Sequence, residues 1–203
     1  MAKFIAISGP SASGKTSLIN ELSLRLDMSN VVVLPDVFET VWNDLVAKGY
    51  FSEYDEINRD PEFLCVYLQR VIDYYKNSIE MYKSSDKLIL MDSSWIDISI
   101  YSVINMWYIH ILKEVQENLL HQLSVYDSSL DKVYLTVNDD SKQTNLKYRS
   151  PFKRYNIKYN RPLEIQYYEL SSNFNHTEVL PSSDITECAT FIIEDLRKLG
   201  YLV

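Results

Sequence analysis

The chain contains only four glycines in 203 residues, and two of them, Gly9 and Gly14, lie within one stretch of six residues. A short apolar run, residues 4–8, precedes this pair, and residues 15–26 follow it with apolar side chains at helical spacing. Glycine lets a backbone adopt conformations that are strained for other residues. The pattern therefore predicts a buried strand, a sharply curved loop and an amphipathic helix in direct succession.

The predicted loop matches the phosphate-binding pattern G-x-x-x-x-G-K-[ST] at every position. In such a loop, backbone N–H groups and the positive end of the following helix face the phosphates of a nucleotide. Lys15 is expected to reach the β- and γ-phosphates of ATP, and Thr16 to offer its hydroxyl to Mg²⁺. The full set predicted to bind ATP is Gly9, Ser11, Ala12, Ser13, Gly14, Lys15, Thr16 and Ser17.

Strand and helix patterns alternate along the whole chain. The five apolar strands are predicted at residues 4–8, 31–34, 87–91, 133–137 and 178–180, and helices at 15–26, 37–47, 61–82, 111–126, 162–172 and 185–199. Continuous apolar strands between helices are typical of a parallel sheet that is covered on both faces. We predict an α/β fold of the P-loop NTPase type, a three-layer sandwich with a five-stranded parallel sheet, formed by a single domain over residues 1–203.

Composition narrows the partners that the chain can take. The formal net charge of −8 and the pI near 4.9 argue against a broad nucleic-acid surface, although they leave a small anionic ligand open. No signal peptide pattern and no apolar stretch of about 18 residues is present, which predicts no membrane span. Cys65 and Cys188 are far apart and are predicted to be reduced core residues of a cytoplasmic protein.

Two acids follow predicted strands, at the edge of the sheet where α/β proteins bind ligands. Asp92 ends the third strand, and we assign it to the Mg²⁺ shell opposite Thr16, with a helix cap as the alternative. Asp36 follows the second strand, and it could take the proton from an attacking hydroxyl or hold the acceptor in line. Glu39 is the second candidate for this role. A structural N-cap or first-turn acid is an equally good interpretation of both residues.

A basic segment, residues 147–154, interrupts the acidic chain after the fourth strand. We predict a lid over about 140–160 in which Arg149 and Arg154 stabilise the charge on the transferring phosphoryl group, since guanidinium groups match phosphate geometry. A solvated charge run is the alternative. On the helix after Pro61, Gln69 could read the edge of a base, and Arg70 could also contact the acceptor. The alternative there is a tyrosine-rich core helix with an exposed glutamine.

The loop at 9–16, Asp36 after the second strand, and the run from Asp92 to Asp97 followed by Tyr101 resemble P-loop small-molecule kinases. The resemblance is nearest to the AAA-type ATPase and kinase group that includes nicotinamide riboside kinase domains, and more distant to deoxynucleoside and thymidylate kinases. It implies ATP, Mg²⁺ and a small phosphate acceptor, with Asp36 as the catalytic or acceptor-binding acid. Ser93 stands where these families have an arginine that helps to hold the acceptor.

These observations predict a kinase that transfers a phosphoryl group from ATP to a nucleoside or nucleoside monophosphate. Three alternatives stay open: an NTP hydrolase that drives a switch or partner, a kinase of a polynucleotide end or modified DNA base, and a nucleotide-binding module without catalysis. The amphipathic pattern at 111–126 also leaves open whether two copies pair as a homodimer.

Overall fold

In the computed structural model, five apolar segments form one sheet, and all of its strands are parallel. The structure describes residues 1–10, 13–50, 61–100, 129–136 and 176–202, together with 117–118, 121–122, 165, 167 and 169. The strands are β1 (Lys3–Ser8), β2 (Val31–Leu34), β3 (Leu88–Asp92), β4 (Lys132–Leu135) and β5 (Thr177–Val179), in the order β2-β3-β1-β4-β5.

Four helices are described from end to end: α1 (Lys15–Arg25), α2 (Val37–Ala47), α3 (Pro61–Tyr82) and α4 (Ile185–Lys198). Residues 95–100 are also helical. The predicted starts at Pro61 and Ile185 are confirmed, and so is the end of the last helix before Gly200, which has a φ of 72°. The helices predicted at 111–126 and 162–172 lie largely outside the described residues.

The sheet separates two apolar cores, because successive side chains of a strand point to opposite faces. On one face, Phe4 and Ala6 of β1 pack with α2, α3 and residues 95–100. On the other face, Ile5 and Ile7 pack with α1 and α4. The predicted three-layer α/β sandwich is therefore confirmed. Within the described part of the chain, no helix combines the length and apolar character needed to cross a bilayer.

The order of the strands determines where a ligand can bind. The chain leaves β1 for the β2–β3 side of the sheet and later returns to the opposite side for β4 and β5. The carboxyl ends of β1 and β3 therefore lie at a topological switch point, where open α/β sheets form a crevice. The register pairs Ile7 with Asp92 and Ser8 with Leu135, so the loop after β1 begins between the ends of β3 and β4.

Candidate functional site

The loop between β1 and α1 depends on both of its glycines. Gly9 has a φ of 144° and Gly14 a φ of 90°, and both values favour glycine. A Cβ atom on Gly9 would lie 2.2 Å from Oγ1 of Thr136, which follows β4. Gly14 is the N-cap of α1, so the loop passes directly into the positive end of that helix. The local geometry suits an anion-binding loop.

Lys15 directs its ammonium group back over this loop. Its Nζ atom donates hydrogen bonds to the carbonyl oxygens of Gly9 at 2.7 Å and Pro10 at 3.1 Å. The amide of Ser13 also donates to the Pro10 carbonyl, at 3.3 Å. A lysine in this position places a positive charge at the mouth of the loop. Entering phosphate oxygens would compete with the two carbonyls for the ammonium group.

Thr16 and Asp92 lie together, as the sequence predicts. Oγ1 of Thr16 donates a 2.6 Å hydrogen bond to Oδ2 of Asp92, which is only 3% exposed. A hydroxyl and a carboxylate are the hard oxygen ligands that Mg²⁺ prefers, and Mg²⁺ in phosphoryl-transfer sites takes few protein ligands beside phosphates and water. Among the described residues, no cluster of three or more His, Cys, Asp or Glu side chains is arranged for a metal. The donor pair therefore fits a Mg²⁺ ion that is shared with a nucleotide.

Asp36 forms the helix cap that one of the two sequence interpretations predicts, and its role toward an acceptor stays a prediction. It is the N-cap of α2, where Oδ1 accepts the backbone amides of Phe38 at 2.9 Å and Glu39 at 3.4 Å. Burial raises the pKa of Asp36 to about 6; the charge of Lys15 opposes this shift and that of Asp92 adds to it. Because the charges of both Lys15 and Asp92 act on the pKa of Asp36, we place this acid in the same site as those two residues. Glu39 is half-buried in the first turn of the same helix.

The start of the loop is held from both neighbouring strands by polar side chains that the sequence analysis does not assign to the site. On the β3 side, Oδ1 of Asp97 accepts the amide of Gly9 at 3.1 Å, and Oγ of Ser94 lies 2.6 Å from Oγ of Ser8. On the β4 side, Oγ1 of Thr136 donates to the Ser8 carbonyl at 3.1 Å and also hydrogen-bonds with the Ser13 hydroxyl. The sequence signal for Asp97 is a lone carboxylate at the start of a long apolar stretch.

Other predicted residues lie in different surroundings. The amide of Gln69 exchanges hydrogen bonds with Gln122 at 3.1 and 3.2 Å and also donates to Asp73. Arg70 is exposed on α3, and Ser17 is exposed in the first turn of α1. Ser93 follows Asp92 with a φ of 81° and is buried, and its amide donates to the Ile7 carbonyl at 3.0 Å. Ser11, Ala12, Arg149 and Arg154 lie outside the described residues, so their roles stay predictions.

The fold and this site together define a protein of the P-loop α/β class, with the loop motif at the carboxyl end of the parallel sheet. A family model described as an AAA domain matches residues 4–176. The chain therefore belongs to the AAA domain family, and the resemblance inferred from its motifs is confirmed. No curated protein matches the chain in sequence.

Three solved structures that share the fold include two kinases. Deoxyadenosine kinase from M. mycoides superimposes with a TM-score of 0.67 at 14% identity, covering 96% of this chain and 99% of that one. Thymidylate kinase from Ehrlichia chaffeensis superimposes with a TM-score of 0.64 at 17% identity, covering 96% of this chain and 98% of that one. NadR protein in complex with NR gives 0.62 at 16% identity, covering 98% of this chain and 50% of that one. At these identities the likeness establishes the fold.

Proposed function

We propose that the chain is a kinase that uses ATP and Mg²⁺ to phosphorylate a nucleoside or nucleoside monophosphate. One observation carries the proposal beyond nucleotide binding. The half-buried acid Asp36 lies where the charges of both Lys15 and Asp92 act on it, just after the carboxyl end of β2, the strand next to β3. A phosphate-binding loop alone needs no such acid, whereas a transfer site needs a group that orients the acceptor and, when the acceptor is a hydroxyl, receives its proton.

In the proposed reaction, an acceptor oxygen attacks the γ-phosphorus of ATP; it is a hydroxyl oxygen of a nucleoside or a phosphate oxygen of a nucleoside monophosphate. The new O–P bond forms as the bond from that phosphorus to the bridging oxygen breaks, and ADP leaves. With a nucleoside, Asp36 holds the hydroxyl in line and takes its proton, and a pKa of about 6 leaves most of the carboxyl group ionised at neutral pH. With a nucleoside monophosphate, the attacking oxygen carries no proton, and Asp36 only orients the acceptor. Lys15 and the loop amides hold the phosphates and stabilise the charge that develops on them.

Thr16 and Asp92 would hold Mg²⁺, and their hydrogen bond at 2.6 Å keeps the two oxygen ligands adjacent. A bound Mg²⁺ ion supplies charge neutralisation for the nucleotide phosphates. The class of acceptor is supported by the solved structures that share the fold, two of which are named for kinases of a nucleoside and a nucleotide.

The test is ATP turnover with Mg²⁺, measured with and without a panel of nucleosides and nucleoside monophosphates. We expect one acceptor class to raise ADP formation well above background, with one phosphorylated acceptor formed per ADP. Lys15→Ala should lower this transfer by about 10²–10³-fold, as removal of a preorganised donor does. Asp36→Asn should lower it by about 10²-fold or more, although asparagine is as good an N-cap as aspartate.

Asp44→Asn is the matched control for Asp36→Asn. Asp44 is on the same helix, but its side chain is exposed and forms an i,i+4 ion pair with Lys48, so the variant should keep wild-type transfer. Equal ADP formation with and without every acceptor would reject the kinase and indicate an NTP hydrolase. Binding of ATP with neither hydrolysis nor transfer would indicate a binding module.

A further inference from the structure

Asp97 is a fully buried carboxylate that connects three parts of the chain. Its Oδ1 atom accepts the Gly9 amide at 3.1 Å and the hydroxyl of Tyr167 at 2.7 Å. Its Oδ2 atom accepts the Ser94 amide at 2.7 Å. Gly9 begins the phosphate loop, Ser94 follows the metal-site strand β3, and Tyr167 comes thirteen residues after Arg154 in the sequence. One side chain thus holds both sides of the candidate site.

Burial of a carboxylate is costly unless hydrogen bonds replace its hydration. An apolar side chain would fill the same space in the core without this cost. Among the residues that the structure describes, the donors to Asp97 are the Gly9 amide, the Ser94 amide, the Ser94 hydroxyl at 3.4 Å and the Tyr167 hydroxyl. Because these donors belong to Gly9, Ser94 and Tyr167, the position of Asp97 depends on all three residues. The position of Gly9 depends in turn on Asp97.

The two backbone polar atoms of Gly9 are both engaged by charged side chains. Asp97 accepts its amide, and Lys15 donates to its carbonyl oxygen at 2.7 Å. The conformation of Gly9 sets the direction in which the loop leaves β1, and hence the direction of the amides that follow. A small displacement of Asp97 would therefore change how these amides meet a phosphate group, even without contact between Asp97 and the nucleotide.

We propose that Asp97 is a positioning residue of the phosphate loop and that Tyr167 holds it in the correct orientation. The proposal rests on the proposed nucleotide site but not on the transfer step. Tyr167→Phe removes a single hydroxyl and keeps the buried ring. It should raise the Kd of Mg-ATP by about three- to tenfold, the size expected for weakening one charged hydrogen bond.

Isothermal titration of the full chain with Mg-ATP and with inorganic tripolyphosphate measures this effect directly. Because tripolyphosphate has no base or sugar, its Kd should rise by the same factor if the loop is what changes. Tyr134→Phe is the matched control, since Tyr134 is also buried and donates a 2.7 Å hydrogen bond to a carboxylate, that of Asp195. It should lower the Tm to a similar extent and leave both Kd values unchanged.

Asp97→Asn provides the second test, because Tyr167 is proposed to act through Asp97. The variant should weaken both ligands by more than Tyr167→Phe does, and the double variant should be no weaker than Asp97→Asn alone. Wild-type Kd values in Tyr167→Phe, or fully additive losses in the double variant, would overturn the proposal. If Asp97→Asn does not fold, the comparison of Tyr167→Phe with Tyr134→Phe decides alone.

These outcomes are separable from those of the kinase test. If the wild-type chain binds Mg-ATP but transfers no phosphoryl group, the proposed function fails, and the Kd values still decide the role of Asp97. If the wild-type chain binds neither Mg-ATP nor tripolyphosphate, both proposals are overturned.

Discussion

The two ends of the sheet use charged side chains in different ways. At the amino end, lysines lie beside carboxylates: Lys3 is 2.8 Å from Asp131, and Lys132 is 2.6 Å from Glu178 and 3.3 Å from Asp195. Burial alone would lower the pKa of Lys132, but its hydrogen bonds to the two carboxylates outweigh that effect and raise it. At this end of the sheet, each of the two lysines is paired with at least one carboxylate of the same chain.

At the carboxyl end, Asp36 and Asp92 lie close enough for the charge of one to raise the pKa of the other. Lys15 opposes this shift while it donates to carbonyls of its own loop. An acid with a perturbed pKa beside a second carboxylate at a sheet edge is typical of a ligand site, whereas ion pairs between neighbouring elements are more often structural. The comparison suggests that changes at the carboxyl end should alter binding and transfer, and changes at the amino end should alter stability.

The largest expected effect is that of Gly9→Ala. The new Cβ would meet Oγ1 of Thr136 at 2.2 Å and its carbonyl oxygen at 3.0 Å, in a backbone conformation that alanine avoids. The loop must shift to relieve these contacts, so we expect the affinity for Mg-ATP to fall by about 100-fold or more, as misplacement by about 1 Å does in catalytic sites. Titration calorimetry of the folded variant measures it.

Gly200→Ala is the control for Gly9→Ala, because Gly200 also has a positive φ, of 72°, but among the described residues other than its chain neighbours no atom lies within 4 Å of the added Cβ. This variant should lose about 1–2 kcal/mol of stability from backbone strain and keep wild-type affinity. If Gly9→Ala bound Mg-ATP as well as Gly200→Ala does, the close approach of Thr136 would have no part in shaping the loop.

The next effect is the pH dependence that Asp36 confers. Its pKa is raised from 3.8 to about 6 on folding, so the native state binds a proton between these values while the unfolded state does not. The ionised carboxylate therefore destabilises the native state at neutral pH, by roughly 2–3 kcal/mol for a shift of about two units, and the cost disappears as the pH falls towards 4.

Asp36→Asn should thus be more stable than the wild type at pH 7 and equally stable near pH 4, as measured by urea denaturation at both values. The rate of phosphoryl transfer by the wild type should rise with pH over the range in which its stability falls. Because the ionised carboxylate is the proposed proton acceptor, kcat/KM should rise with pH through about 6. An Asp36→Asn variant with the same pH-dependent stability as the wild type would show that Asp36 has an ordinary pKa.

Much of the carboxyl end is predictable because its parts are local in sequence. The loop motif is contiguous, and Asp36 and Asp92 each follow an apolar strand directly. Knowledge that parallel strands end at one edge is then enough to bring Thr16 and Asp92 together. For the elements that the structure describes from end to end, the bounds also follow from apolar periodicity. Four of the five strands and two of the four helices differ from the prediction, by one residue or, at the end of β4, by two.

The rest depends on contacts between distant parts of the chain, which no local pattern encodes. Asp97 meets Gly9 across 88 residues and Tyr167 across 70, and nothing near Asp97 in the sequence indicates either partner. Gln69 is a second residue whose contacts the local sequence does not indicate. Its amide suits a base edge in isolation, but in the structure it exchanges hydrogen bonds with Gln122, 53 residues away.

The substitution with the smallest expected effect, Lys132→Met, tests the amino end of the sheet. Methionine has an apolar side chain of similar length to lysine, but it lacks the positive charge that lies between Glu178 and Asp195. The two carboxylates would then repel each other, and Asp195 would keep only the Tyr134 hydroxyl among the donors described here. Because Glu178 is 38% exposed, water would screen part of the repulsion, and we expect a loss of about 1–2 kcal/mol at pH 7 rather than the larger loss of a fully buried pair.

Urea denaturation measures this loss, and the transfer assay should show unchanged kcat and KM. Adding Asp195→Asn removes one of the two facing carboxylates and keeps an acceptor for Tyr134, so the double variant should recover part of the lost stability. If Lys132→Met instead changed the affinity for Mg-ATP and left stability intact, the two ends of the sheet would not be independent. The network from Lys132 through Tyr134, whose backbone pairs with Ile7 of β1, would then connect the amino end to the phosphate loop.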